Sequence, residues 1–133
     1  MKRIDIPDPM KLPGYLKKSF SLPFHGGEIW FEHLDGIYGS EELVIEKLRS
    51  DSESFSRPSS PGLICFVLDE TIVTDNIINT ICGTLEKKHF TKACFVGADR
   101  KTVRKLKSAL NGYSFAVNFT DSLEQAKVLL VDM

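Results

Sequence analysis

Three carboxylates, Asp69, Glu70 and Asp75, fall within seven residues directly after the apolar run Leu63-Ile-Cys-Phe-Val-Leu68. Carboxylates held that close could bind a metal ion or work as a general acid and base. The carboxyl end of a central strand is also where open α/β sheets place their ligands. A plainer assignment covers the same residues: Asp75 caps a helix, Asp69 ends the strand and Glu70 is solvated. No nucleophile and base stand out together. The sequence therefore assigns no catalytic residue, no metal ligand set and no cofactor.

A second cluster is Gly97-Ala98-Asp99-Arg100-Lys101, which follows an apolar run and opens a helical stretch. Backbone N–H groups at such a turn face an incoming anion, which makes Gly97, Arg100 and Lys101 a candidate anion site. The turn lacks the glycine spacing of dinucleotide and phosphate loops, and Asp99 is itself placed to cap the helix. Lys87, Lys88, His89, Lys92, Arg100, Lys101, Arg104, Lys105 and Lys107 gather positive charge in the same stretch. They could meet an acidic partner or nucleic acid. However, no aromatic residue is spaced along the helix for base stacking, and the chain's formal net charge is −1. A solvated helix face accounts for the charge more simply.

The remaining reactive side chains read as structural. Cys65 and Cys94 sit inside apolar runs and Cys82 on the apolar side of a helical stretch. Such scattered spacing makes neither a disulfide framework nor a zinc site, and buried reduced thiols are expected. His25, His33 and His89 belong to different elements. Trp30, Phe31 and Tyr38 read as core or edge packing, unless Trp30 proves exposed.

These residues are positioned by a repeating unit of apolar run, turn and amphipathic helix. The runs are Leu63–Leu68, Lys92-Ala-Cys-Phe-Val96 and Ser114-Phe-Ala-Val-Asn118. Strands that apolar are covered on both faces, and interleaved helices call for parallel pairing. Ahead of them, Phe20–Phe24 and Glu28–Leu34 flank His25-Gly26-Gly27 as a hairpin, with Pro23 marking an edge strand. Alternation in the second strand puts Ile29, Phe31 and His33 on one face and Trp30, Glu32 and Leu34 on the other. Helices are expected from Ser40 (Leu43, Val44, Leu48), from Thr74-Asp75 (Ile77, Ile78, Ile81, Cys82, Leu85), after Asp99 (Val103, Leu106, Leu110) and from Thr120-Asp121-Ser122 (Leu123, Ala126, Leu129, Leu130). Gly83 weakens its helix by about 1 kcal/mol relative to alanine. Residues 51–62, rich in serine with Pro58 and Pro61, read as a long loop.

The predicted order is β-β-α-β-α-β-α-β-α in a mixed sheet of about five strands, parallel at its centre, with helices mainly on one face. Residues 1–18, with Pro7, Pro9, Pro13 and Gly14, read as an N-terminal arm, and 19–133 as one domain. Hydrophobic content of 42% and charged content of 26% are those of an ordinary globule. The start has no signal-peptide apolar region, and no stretch is long enough to span a membrane. A cytoplasmic protein without membrane association is expected.

That order resembles the STAS (sulfate-transporter and anti-sigma-factor-antagonist), SpoIIAA-like domains from about Phe20 to Val131. The glycine hairpin precedes the first long strand, which Asp35-Gly36 closes. Ile64-Cys-Phe-Val-Leu-Asp69 is similar to the family's central strand ending in an acid. Ala93-Cys-Phe-Val-Gly-Ala98 resembles the next strand, and Phe119-Thr-Asp-Ser-Leu-Glu-Gln-Ala126 the closing segment. Thr74-Asp75-Asn76-Ile77 falls where the family carries an Asp-Ser pair, whose Ser or Thr a partner kinase phosphorylates. Here Asn76 has no hydroxyl, Ile77-Ile78 replaces the following Ser-Gly step, and Thr74 and Thr80 are off the matching position.

The resemblance implies a non-enzymatic domain that docks a protein partner, such as an anti-sigma-type kinase, in a bacterial regulatory system. Asp69, Glu70, Thr74, Asp75, Asn76 and Asn79 are the expected docking residues, without a phosphorylation gate. Nucleic acid is not expected as a partner, while a homodimer remains open. The alternative is a lipid- or nucleotide-binding module, with Gly97 beside Arg100 and a groove under Trp30 and Tyr38. A third is a metal-dependent hydrolase built on Asp69 and Asp75.

Overall fold

The computed structural model describes residues 19–131. Nine elements follow in order: β1 (Phe20–Phe24), β2 (Gly27–His33), α1 (Glu41–Phe55), β3 (Leu63–Val67), α2 (Asp75–Leu85), β4 (Lys92–Val96), α3 (Arg100–Ala109), β5 (Ala116–Thr120) and α4 (Leu123–Val131). The five strands lie side by side in chain order, β1-β2-β3-β4-β5. β1 is antiparallel to β2, and every later pair is parallel. The expected arm lies outside the described residues.

Alternation across the strands sends side chains to two cores. Trp30, Leu34, Ile64, Phe66, Ala93 and Phe95 point to one face and meet α1, α2 and α3 there. The three helices that connect sequential parallel strands all lie on that side, as crossovers of a single hand require. Phe66, Phe95 and Phe119 stack across β3, β4 and β5 at 5.1 and 5.5 Å between ring centroids. Ile29, Phe31, Cys65, Val67, Cys94 and Val96 point the other way and are covered by Ala126 and Leu130 of α4.

Two boundaries and one core position differ from the sequence reading. α1 continues five residues into the expected loop, as far as Phe55. Phe55 is fully buried and packs against Trp30 and Phe90. Ser52 occupies a buried position of the stripe by donating its hydroxyl to the carbonyl of Arg49 at 2.8 Å. A serine that satisfies itself against its own helix can stand where a leucine is expected. β5 lies two residues later than expected, at Ala116–Thr120. Leu129, expected in the core, is partly exposed, and α4 buries only Ala126 and Leu130.

Candidate functional site

At the carboxyl end of the sheet, the loops after β2 and β3 are laced together. Gly36 N donates to Asp69 O at 2.8 Å, Tyr38 N to Glu70 O at 2.9 Å, and Ile72 N to Tyr38 O at 2.7 Å. The Thr71 hydroxyl accepts from Ile37 N and donates to Leu34 O, which ties the two loops a second time. Tyr38 and Glu70 both adopt the left-handed region, at φ 54° and 55°. Bulky side chains rarely stay there unless surrounding bonds over-determine them. The Tyr38 hydroxyl also donates to Glu70 Oε2 at 2.7 Å. That hydrogen bond, with the nearby carboxylate charge, raises the phenol above its ordinary range.

The rim these bonds hold is apolar and outward-facing: Tyr38 is 62% exposed and Ile72 64%. This corrects the sequence reading of Tyr38 as packing. Trp30 is the reverse case, buried against Phe55 with its indole N–H donating to Glu32 at 3.0 Å. The groove expected under Trp30 and Tyr38 therefore does not join them.

The six expected docking residues divide among several roles. Asp69 turns toward β4, where its carboxylate lies over Gly97. A Cβ at Gly97 would come 2.2 Å from Asp69 Oδ1, and Gly97 has φ +79°. Burial, then the carboxylate of Asp35, raises the Asp69 carboxyl, with smaller contributions from Glu70 and Asp121. Glu70 serves Tyr38. Thr74, not Asp75, caps α2: its hydroxyl accepts from Ile77 N at 3.3 Å and donates to Glu41. Asp75 is exposed and paired to Lys105 at 2.9 Å, which holds its carboxyl below the usual range. Asn76 and Asn79 are both exposed and line a groove of ≈ 600 Å³ between α1 and α2, with Ile45, Arg49, Thr80 and Lys87. Thr74 and Asp75 face a separate cleft of ≈ 490 Å³ toward α3, with Ile72, Lys101 and Lys105. Ile72 links this cleft to the rim.

At the expected anion turn, Asp99 caps α3, its Oδ1 accepting from Thr102 N at 2.8 Å. That bond and the adjacent hydroxyl hold Asp99 below the usual carboxylate range. An anion arriving beside Gly97 meets this carboxylate and that of Asp69. Arg100 and Lys101 are exposed on the first turn of α3. Among the described residues, no group of three or more His, Cys, Asp or Glu side chains could hold a metal ion. No helix among them is long and apolar enough to cross a membrane.

One polar cluster was not singled out from the sequence. Glu32 is fully buried on the α1 side of β2, its Oε1 accepting from Trp30 while Oε2 makes no hydrogen bond. Lys47 Nζ stands 3.8 Å from Oε2 and also binds Asp51 and the Ser19 hydroxyl, at 2.8 and 2.6 Å. Burial, then the neighbouring Asp51, pushes the Glu32 carboxyl well above its ordinary value, against the opposing charge of Lys47. Burial also pushes Asp51 up, but its contacts with Glu32, Lys47 and Ser19 prevail and hold it low. The sequence signal was an acid on the inward face of an alternating strand, between Trp30 and Leu34.

Comparison of the chain with protein-family models, with curated proteins and with solved structures found no match.

Proposed function

We propose that this chain is a non-enzymatic docking domain of a bacterial regulatory system, resembling anti-sigma-factor antagonists but bound by its partner without phosphorylation. The observation that carries the reading is the rim. Two left-handed residues, five interloop hydrogen bonds and a Tyr–Glu clamp hold Tyr38 and Ile72 out in water. Backbone strain and exposed apolar surface at one place are features of a surface built to be covered. The hairpin followed by three crossover helices on one face supports the SpoIIAA-like reading. Asn76, exposed in the first turn of α2, stands where that family carries its phosphorylated hydroxyl. The carboxylate of Glu70 on the rim, with Asp69 beside it in the same loop, favours a partner surface of basic character.

The test is affinity capture from the source lysate with wild type, Ile72→Asp, Asn76→Arg and Arg104→Glu. A kinase-like or sigma-related protein should be retained by wild type and Arg104→Glu and lost with Ile72→Asp and Asn76→Arg. A partner indifferent to Ile72 and Asn76 sinks the reading. So does a phosphate found by mass spectrometry on Thr74 or Thr80 that controls retention.

A small-ligand module is the second reading, favoured by the α1–α2 groove with Arg49 and Lys87 beside Ile45. A thermal-shift screen with nucleotides and fatty acids distinguishes it, because stabilisation tracks affinity.

A further inference from the structure

Among the described residues the sheet has two open edges, and they are treated differently. β1 carries Pro23, which cannot donate to an added strand. β5, Ala116-Val117-Asn118-Phe119-Thr120, has no proline and no charge. Its inner side is fixed by the parallel ladder to β4: Ala116 N donates to Thr91 O at 3.3 Å and Gly97 N to Thr120 O at 3.0 Å. In a parallel ladder alternate residues turn both N–H and C=O to the same neighbour. Ala116, Asn118 and Thr120 therefore face β4, and the backbone groups of Val117 and Phe119 face outward. An uncharged edge of this kind is what natural proteins normally blunt.

The helix beside that edge carries charge of one sign. α3 contains five basic residues and no acid. Helical spacing divides them into two stripes. Lys105 pairs with Asp75 and, with Lys101, faces the cleft toward α2. Arg100, Arg104 and Lys107, at i, i+4 and i+7, form the other stripe. Its member Lys107 reaches to 5.7 Å from the centroid of the Phe119 ring in β5. Arg100, Arg104 and Lys107 are all exposed. A second copy adding through the same edge would bring two such stripes toward each other, so the charge selects against self-pairing.

We propose that the outer edge of β5 accepts an extended acidic segment of a partner protein as a sixth strand. The backbone of Val117 and Phe119 supplies the pairing, and Arg100, Arg104 and Lys107 supply the selectivity. Strand addition draws affinity from main-chain bonds and specificity from flanking side chains. This surface is separate from the Tyr38–Ile72 rim and does not depend on it. Asp121, just past β5, restricts the acidic residues to the part of the strand beside α3.

The probe is a short synthetic peptide alternating glutamate and valine, titrated into the full chain and followed by amide NMR and hydrogen exchange. Slowed exchange at Val117 and Phe119 is expected. So is an affinity loss of about tenfold or more with Arg104→Glu, and weakening with added salt. The same peptide N-methylated at alternate residues keeps its charge but should not bind, a control that leaves the protein's own fold untouched. Val117→Pro, which removes the outward donor along with part of the valine's packing, should also abolish binding. Equal binding of a lysine–valine peptide or of the N-methylated peptide overturns the proposal. Protection located at the rim, dimerisation through β5, or binding of a single-stranded oligonucleotide to the stripe without protection of Val117 does so too.

Discussion

Gly97 and Asp69 constrain each other. Gly97 combines a left-handed backbone with a carboxylate where a Cβ would sit, so Gly97→Ala has no relaxed conformation. The expected loss is about 1–3 kcal/mol for the backbone alone, seen as a lower midpoint in urea denaturation. Gly97→Ala with Asp69→Ala should recover only the part due to the contact. Glu32 sets a second expectation at this scale. Its folded-state carboxyl is raised, so above the ordinary value of 4.5 the folded chain holds a proton that the unfolded chain has released. Native protein then binds more protons, and stability falls as pH rises through that window. Asp51 acts in the opposite sense, and only below its ordinary value of 3.8. Glu32→Gln keeps an acceptor for Trp30 and cannot ionise. Melting curves from about pH 5 to about pH 9 should show a flatter slope for Glu32→Gln and a stability advantage at the alkaline end. Parallel curves would mean that Glu32 is already ionised in the fold.

Helices α1 and α2 depend on residues that sequence patterning assigned differently. Phe55 lies in a serine- and proline-rich stretch that predicts a loop, yet it anchors the last turn of α1 in the core with Trp30 and Phe90. Phe55→Ala should cost about 3–5 kcal/mol, and amide exchange should rise first across residues 49–55. At the start of α2 the cap is Thr74, so Thr74→Ala should cost about 1 kcal/mol. Asp75→Ala, where an exposed carboxylate pairs with a half-buried Lys105, should change the urea midpoint far less. The reverse ranking would return the cap to Asp75, as the spacing alone suggested.

At the scale of the molecule, the described residues cover the two faces of the sheet unequally. Three helices close one core, while α4 closes the other with Ala126 and Leu130. Cys65 and Cys94 lie in register on β3 and β4 beneath it, both fully buried. A hydrogen bond with Cys94, then burial, pushes the Cys65 thiol up, while the same bond draws Cys94 down. Both should resist iodoacetamide in the native state. Leu130→Ala should speed labelling of Cys94 and cost about 2–5 kcal/mol. Fast native labelling of Cys65 or Cys94 in wild type would show that α4 does not stay closed.

The order of elements was legible because strand and helix periods differ and are written locally, in runs such as Lys92–Val96 and stripes such as Ile77-Ile78-Ile81-Leu85. Alternation alone also divided Ile29 and Phe31 from Trp30 and Leu34, and put Glu32 on the same face as the latter pair. What sequence could not hold is pairing between distant segments. Tyr38 and Glu70 are 32 positions apart, and only the β2–β3 alignment makes them partners. The same applies to Gly97 under Asp69, and to Lys47 between Glu32 and Asp51. The expected docking residues were close in sequence, but the first turn of α2 spreads them around a helix, so Asn76 and Asn79 face α1 while Asp75 faces α3. Local pattern determined which elements form and which side each buries. The choice of exposed, strained or acid-raising positions was left to tertiary contact, because those properties belong to the neighbours a residue acquires on folding.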